Sequence, residues 1–175
     1  MNIFLTGEPG SGKSTIIKKL LRCDKIAAEA GGILTEEIVF AKKRTGFNAR
    51  PLSDKEPQLL ASVWLYNGPR VGRYTVRTRT IDHVVVPEIK RALSECRLIV
   101  IDEIARIQLC SRRFLPVVRE ALDSPRIILA TVHSRDHPLT DPIKKRSDVQ
   151  LIDVTPLNRD QLLTELQDRL LALMH

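Results

Sequence analysis

Residues 3–15 read Ile3-Phe4-Leu5-Thr6-Gly7-Glu8-Pro9-Gly10-Ser11-Gly12-Lys13-Ser14-Thr15. Gly7, Gly12, Lys13 and Ser14 carry the spacing G-x-x-x-x-G-K-S of a phosphate-binding loop, set between a strand signal and a helix signal as that motif requires. Glycines at 7, 10 and 12 let the backbone curl through positive φ, so that successive N–H groups point inward at phosphate oxygens. A helix beginning near Lys13 adds its positive N-terminal end. Lys13 is placed to reach β- and γ-phosphates as a point charge, and the Ser14 hydroxyl to ligate Mg²⁺. The candidate nucleotide-binding residues here are Gly7, Glu8, Pro9, Gly10, Ser11, Gly12, Lys13, Ser14 and Thr15, and the strand, loop and helix that hold them demand an α/β fold.

Working outward, the alternation of strand and helix signals continues. Asn2 to Thr6 is the first strand, and Ser14 to about Cys23 a helix with Ile16, Ile17, Leu20 and Leu21 on one face. Gly31-Gly32 breaks the pattern, after which Ile33–Phe40 and Gly46–Leu52 read as strands joined across the polar turn 41–44, an antiparallel hairpin. From Ser53 to Asn67 the signals weaken, with a short strand somewhere in Leu59–Leu65, and Gly68-Pro69 with Gly72 marks a loop. Val86, Ile89 and Leu93 recur at helical spacing within Asp82–Cys96, which places Pro87 in the first turn. Leu98-Ile99-Val100-Ile101 is the continuous apolar run of a strand covered on both faces, and Ile127-Ile128-Leu129-Ala130, ending at Thr131, is another. Between them Ser111 reads as the N-cap of a helix carrying Leu115, Val118 and Leu122. A strand at Val149–Val154 and a leucine-rich helix capped near Asn158 complete the chain. The expectation is one domain, residues 1–175, folded as a three-layer α/β sandwich whose mostly parallel central sheet carries an antiparallel hairpin at one edge.

The apolar run 98–101 ends in Asp102-Glu103. In parallel sheets ligands gather at the carboxyl ends of strands, so Asp102 belongs beside a Mg²⁺ held through Ser14, acting through a coordinated water or by orienting Ser14. Glu103 can reach past the metal to polarise a water aimed at a γ-phosphorus, which is general-base work and favours hydrolysis over phosphoryl transfer to a small acceptor. Thr131 is a second candidate at the γ-phosphate. Arg44, Arg73, Arg135, Arg146 and Arg159 are candidates to stabilise charge on the transferring phosphoryl group, with spacing favouring none of them. No Asn-Lys-x-Asp occurs, so a common guanine-reading element is missing.

Composition sets the outer bounds. The 175 residues are 43% hydrophobic, enough for a real core, and carry a formal net charge of +7, with a pI near 9.6. Such a chain attracts polyanions. Its basic residues fall in short, scattered clusters with only 4% aromatics, so nucleic acid is a possible partner but not the favoured one. Cys23, Cys96 and Cys110 form neither a disulfide framework nor a zinc site. With no signal region and no run of bilayer-spanning length, a cytosolic monomer away from membranes is expected.

Together these residues resemble the family of small cancer-related nucleoside-triphosphatases, and the likeness runs nearly end to end. Beyond the phosphate loop it covers Gly32-Ile33-Leu34-Thr35-Glu36-Glu37-Ile38, Arg44-Thr45-Gly46-Phe47, Val71-Gly72-Arg73-Tyr74-Thr75-Val76, Val100-Ile101-Asp102-Glu103-Ile104 and Asn158-Arg159-Asp160. The resemblance implies Mg²⁺-dependent hydrolysis of nucleoside triphosphates with broad base tolerance on a RecA-like P-loop core. Two competing readings are a nucleotide or nucleoside kinase and a nucleic-acid-associated module switched by nucleotide. The chain departs from the family pattern in three places. After Ile104 the family continues Gly-x-Met-Glu-Leu, where this chain has Ala105-Arg106-Ile107-Gln108-Leu109, and the neutral amide of Gln108 serves as neither base nor metal ligand. Leu34 replaces an aromatic, and 53–67 matches poorly.

Overall fold

The computed structural model describes residues 1–174. In chain order the elements are β1 (Asn2–Thr6), α1 (Lys13–Leu20), α2 (Asp24–Ala28), β2 (Ala30–Phe40), β3 (Lys43–Pro51), β4 (Gln58–Ser62), β5 (Arg70–Val71) and β6 (Tyr74–Val76). A helical stretch follows, α3 (Thr78–Thr80), a π-helical turn (Ile81–Val85) and α4 (Val86–Glu95). Then come β7 (Leu98–Ile104), α5 (Phe114–Leu122), β8 (Ile127–Val132), α6 (Asp141–Lys144), β9 (Val149–Asp153) and α7 (Arg159–Met174).

The nine strands among the described residues form one sheet, in the order β5-β6-β4-β3-β2-β7-β8-β1-β9. From β2 to β9 every pairing is parallel, and from β2 to β5 every pairing is antiparallel. The apolar runs explain the layering. Along β1 and β7, Ile3, Leu5, Leu98 and Val100 face α1, α2 and α7, while Phe4, Ile99 and Ile101 face α4 and α5. Successive side chains alternate faces, so an unbroken apolar run needs a helical layer on each side. Leu162, Leu166 and Leu170 of α7 recur every four residues and are buried against α1 and β1.

The fold class and the parallel core agree with the sequence reading, and several local expectations are corrected. The edge hairpin grows into a larger antiparallel extension, because β4, β5 and β6 add to β3. Gly31-Gly32 does not interrupt the chain but lies inside β2. A Cβ at Gly31 would strike Cys96 Sγ and Ala92 Cβ, and one at Gly32, where φ is 119°, would strike the Val100 carbonyl. The glycines thus let β2 lie close against β7 and α4. Gly32→Ala should accordingly cost about 2–3 kcal/mol, lowering Tm by roughly 4–12 °C. Gly72→Ala, at φ 58° in open space, should cost only about 1 kcal/mol. Thermal unfolding of both variants checks this ranking.

Pro87 falls in the first turn of α4, as expected, although α3 and the π turn precede that helix without a break. A proline has no N–H to give a preceding carbonyl, and the wider π turn relieves that local demand. Ser111 does not cap α5, which starts at Phe114. Its Oγ instead accepts from the Arg113 N–H at 3.1 Å and donates to Asp82. Sequence periodicity also misses α2, too short to show a repeat.

Candidate nucleotide-hydrolysing site

Because β1, β7 and β8 are parallel neighbours, their carboxyl ends open on the same edge of the sheet. A cleft of about 800 Å³ lies there, lined by the loop residues Gly7, Pro9, Gly10, Gly12, Lys13, Ser14 and Thr15, by Lys18 of α1, and by Asp102 and Glu103. Gly7, Gly10 and Gly12 hold φ of 132°, 82° and 110°, the conformations that the glycine spacing requires. Glu8 lies at the turn of the loop, its carbonyl accepting from the Ser11 N–H at 3.1 Å. Lys13 Nζ donates to the Gly7 carbonyl at 2.8 Å and the Glu8 carbonyl at 3.0 Å, which fixes its ammonium across the loop.

Asp102 is buried near the carboxyl end of β7 and receives two hydroxyls on one oxygen. Ser14 Oγ donates to Asp102 Oδ1 at 2.9 Å and Thr131 Oγ1 donates to it at 2.6 Å. Its other oxygen, Oδ2, is buried without a partner. Behind it, Thr35 Oγ1 donates to the Asp102 main-chain carbonyl at 2.6 Å, and Gln108 Nε2 donates to Thr35 Oγ1 at 3.2 Å. Thr131 is fully buried and spends its hydroxyl on Asp102. It orients that carboxylate from behind the cleft wall and is not among the residues that line the cleft.

Burial pushes the Asp102 carboxyl above the ordinary carboxylate range, against the pull of Thr131 and Ser14. Burial and then the Asp102 charge push Glu103 in the same direction, while the Lys13 ammonium and Arg44 draw it back. Glu103 is half-buried on the cleft wall, and the peptide joining it to Asp102 is cis.

β2 outruns its parallel partner. Its pairing with β7 ends at Ile33, and the remaining residues pair only with β3, so Thr35, Glu36, Glu37, Arg44 and Phe47 reach over the cleft. Glu37 pairs with Arg44 at 2.6 Å and Glu36 with Arg50, as the basic excess of the sequence suggests. Of the five candidate arginines, Arg44 and Arg135 line the cleft. Arg73 donates to the Arg44 carbonyl. Arg159 lies beside Gly12, its Cδ 3.4 Å from where a Cβ there would stand. Arg146 is tied to Asp123 and Asp148 at 2.7 and 2.8 Å, so its charge is already committed. Sequence reasoning assigned no site role to Thr35 or Lys18 and read His133 as a solvated or loop-structuring residue; a helix repeat places Lys18 one turn beyond Ser14, but only tertiary structure brings Thr35 and His133 to the cleft.

The family model described as NTPase matches residues 2–167, a span that includes every residue of this site. The chain belongs to the THEP1 nucleoside-triphosphatase family. Its relatives include the nucleoside-triphosphatase THEP1 of Thermotoga maritima, 39% identical over 95% of this chain and 93% of that protein. That of Thermofilum pendens is 39% identical over 99% and 97%. Among solved structures, THEP1 of Aquifex aeolicus superposes with a TM-score of 0.87 at 33% identity, covering 97% of this chain and 99% of that one. A human cancer-related nucleoside triphosphatase gives 0.78 at 33% identity, with 94% of each chain covered. The THEP1 likeness therefore extends over the antiparallel extension as well as the parallel core.

Proposed function

We propose that this chain hydrolyses nucleoside triphosphates to diphosphate and inorganic phosphate with Mg²⁺ and with little selection of base. The observation that carries the reading is the linkage of two motifs 88 residues apart, the Ser14 hydroxyl of the phosphate loop on the Asp102 carboxylate with Glu103 next to it on the cleft. The loop N–H groups and the Lys13 ammonium bind and orient the phosphates. Glu103 accepts the proton of a water aimed at the γ-phosphorus as the bond to the bridging oxygen breaks. Its raised proton affinity suits that task, because a base works best with a pKa close to the working pH.

The residues present fit a divalent cation. Asp102 Oδ2 is a buried acceptor without a partner, Ser14 supplies a hydroxyl beside it, and among the described residues no cage of three or more His, Cys, Asp or Glu competes. Mg²⁺ is commonly held by one or two protein oxygens with substrate phosphates and waters completing the shell. Such an ion would neutralise charge on the phosphates. Broad base tolerance is supported by the missing Asn-Lys-x-Asp. A cytoplasmic location is part of the proposal; among the described residues no helix is long and apolar enough to cross a membrane, and the three cysteines are free.

Phosphate release from ATP, GTP, CTP and UTP tests the reading, with candidate acceptors added in parallel. Lys13→Ala should weaken nucleoside-triphosphate binding about 10²-fold, the loss of a charge-assisted contact in a site of low dielectric. Transfer to an acceptor with little acceptor-free hydrolysis would identify a kinase instead.

A further inference from the structure

The antiparallel end of the sheet gathers what the sequence scatters. The chain has one Trp, two Tyr and four Phe, and three of these seven rings are exposed in that region: Phe40 at 66%, Trp64 at 55% and Tyr66 at 93%. Phe40 and Trp64 meet edge to face with centroids 5.9 Å apart. Exposed Lys42 and Lys43 stand at the tip of the β2–β3 hairpin next to Phe40, and exposed Arg70 and Arg73 lie on the β5–β6 hairpin. The Arg73 guanidinium donates to the Arg44 carbonyl, tying the two hairpins together. None of these four cations makes a salt bridge among the described residues. From 57 to 81 the chain contains no Asp or Glu while carrying Arg70, Arg73, Arg77 and Arg79.

Three exposed rings beside cations that lack acidic partners form a surface complementary to a polyanion with flat apolar groups. We propose that this face binds single-stranded nucleic acid, bases stacking on Phe40, Trp64 and Tyr66 and phosphates pairing with Lys42, Lys43, Arg70 and Arg73. Base–aromatic stacking tolerates any sequence, because every base offers a π face, and a basic groove tracks the backbone. A bilayer is the poorer fit. Membrane-surface segments bury a broad aliphatic and aromatic face, whereas the stretch after Trp64 continues Leu65-Tyr66-Asn67-Gly68-Pro69-Arg70. The inference does not rest on the hydrolytic reading, since the face lies outside the phosphate loop and the acids.

Trp64 is the only tryptophan, so its fluorescence reports on this face directly. The experiment titrates short fluorescein-labelled single-stranded RNA and DNA into the full chain, following anisotropy and Trp64 quenching at salt concentrations from about 50 to 200 mM. Micromolar binding with Trp64 quenching is expected, with log affinity falling against log salt at a slope of about −3 for four phosphate contacts. Trp64→Ala combined with Tyr66→Ala should weaken binding about tenfold or more, and Lys42→Glu with Lys43→Glu should flatten the slope by about 1.4. Acceptor-free NTP hydrolysis and the melting temperature of these surface variants should match the parent. No binding at low salt, or binding that ignores all four substitutions, would overturn the proposal. So would capture by phosphatidylserine vesicles without oligonucleotide binding, or a concentration-dependent dimer that buries Trp64.

Discussion

Glu103→Gln should lower kcat for nucleoside-triphosphate hydrolysis by about 10³-fold while leaving nucleotide affinity within a few-fold of the parent. The glutamine keeps the size and polarity of the side chain, and the phosphate contacts come from the loop and Lys13, so binding has little reason to change. What is lost is the proton acceptor, and a positioned general base contributes about 10²–10⁴-fold, or roughly 4 kcal/mol at 10³. The environment explains why a glutamate serves here. Burial and the neighbouring Asp102 charge raise its proton affinity, and Lys13 with Arg44 limits the rise. Single-turnover phosphate release, with nucleotide binding measured separately, checks the prediction. A variant that turns over at the parent rate would remove Glu103 from the chemistry and leave its place on the cleft wall as packing.

The parts of this molecule that were legible in the sequence are those whose physics is local. The phosphate loop needs glycines at fixed spacing, and Gly7, Gly10 and Gly12 take up the positive φ that the spacing implies. Strands covered on both faces must be apolar throughout, so β7 and β8 were readable from four residues each. Asp102-Glu103 could be placed because a parallel strand delivers its carboxyl end to the site. What escaped the reading depends on distant neighbours. Gly31-Gly32 reads as a break until β7 and α4 are seen pressing on β2. The strands β5 and β6 are two and three residues long, too short to carry a periodicity. Thr131 closes a strand in sequence, and only the fold turns its hydroxyl onto Asp102. Five arginines were equivalent by spacing, but the cleft admits Arg44 and Arg135 while Asp123 and Asp148 claim Arg146. The departure at Gln108 has a similar resolution: the amide is buried and donates to Thr35, which in turn holds the Asp102 main chain.

Asp102→Asn should make the ligand-free protein more stable and the enzyme far slower, and the pairing of those opposite effects is what identifies the residue as functional. Burial dominates the Asp102 environment, and the hydroxyls of Thr131 and Ser14 offset it only in part, so the folded-state pKa lies above the unfolded one. A carboxyl shifted in that direction contributes stability below its unfolded pKa, where the folded state holds the proton more firmly, and the contribution disappears as pH rises through the folded pKa. Above that raised folded-state pKa the fold carries a buried carboxylate with one unpartnered oxygen, Oδ2, a charge that is costly without a counter-ion. The asparagine removes the charge and keeps an acceptor for Ser14 and Thr131. An increase of about 1–2 kcal/mol, or roughly 2–8 °C in Tm, is expected without added metal at pH above the folded-state pKa. The gain should shrink as pH falls toward the carboxylate range, where the parent is protonated as well. Turnover with Mg²⁺ should drop by about 10²–10³-fold, because the neutral amide is a poor ligand for a hard cation and withdraws the charge that would hold it beside the phosphates. Calorimetry across pH and phosphate release on the same samples decide the matter. A variant both less stable and less active would make Asp102 a structural acceptor for two hydroxyls, whereas gain of stability with loss of rate marks a charge that the fold tolerates for the sake of the reaction.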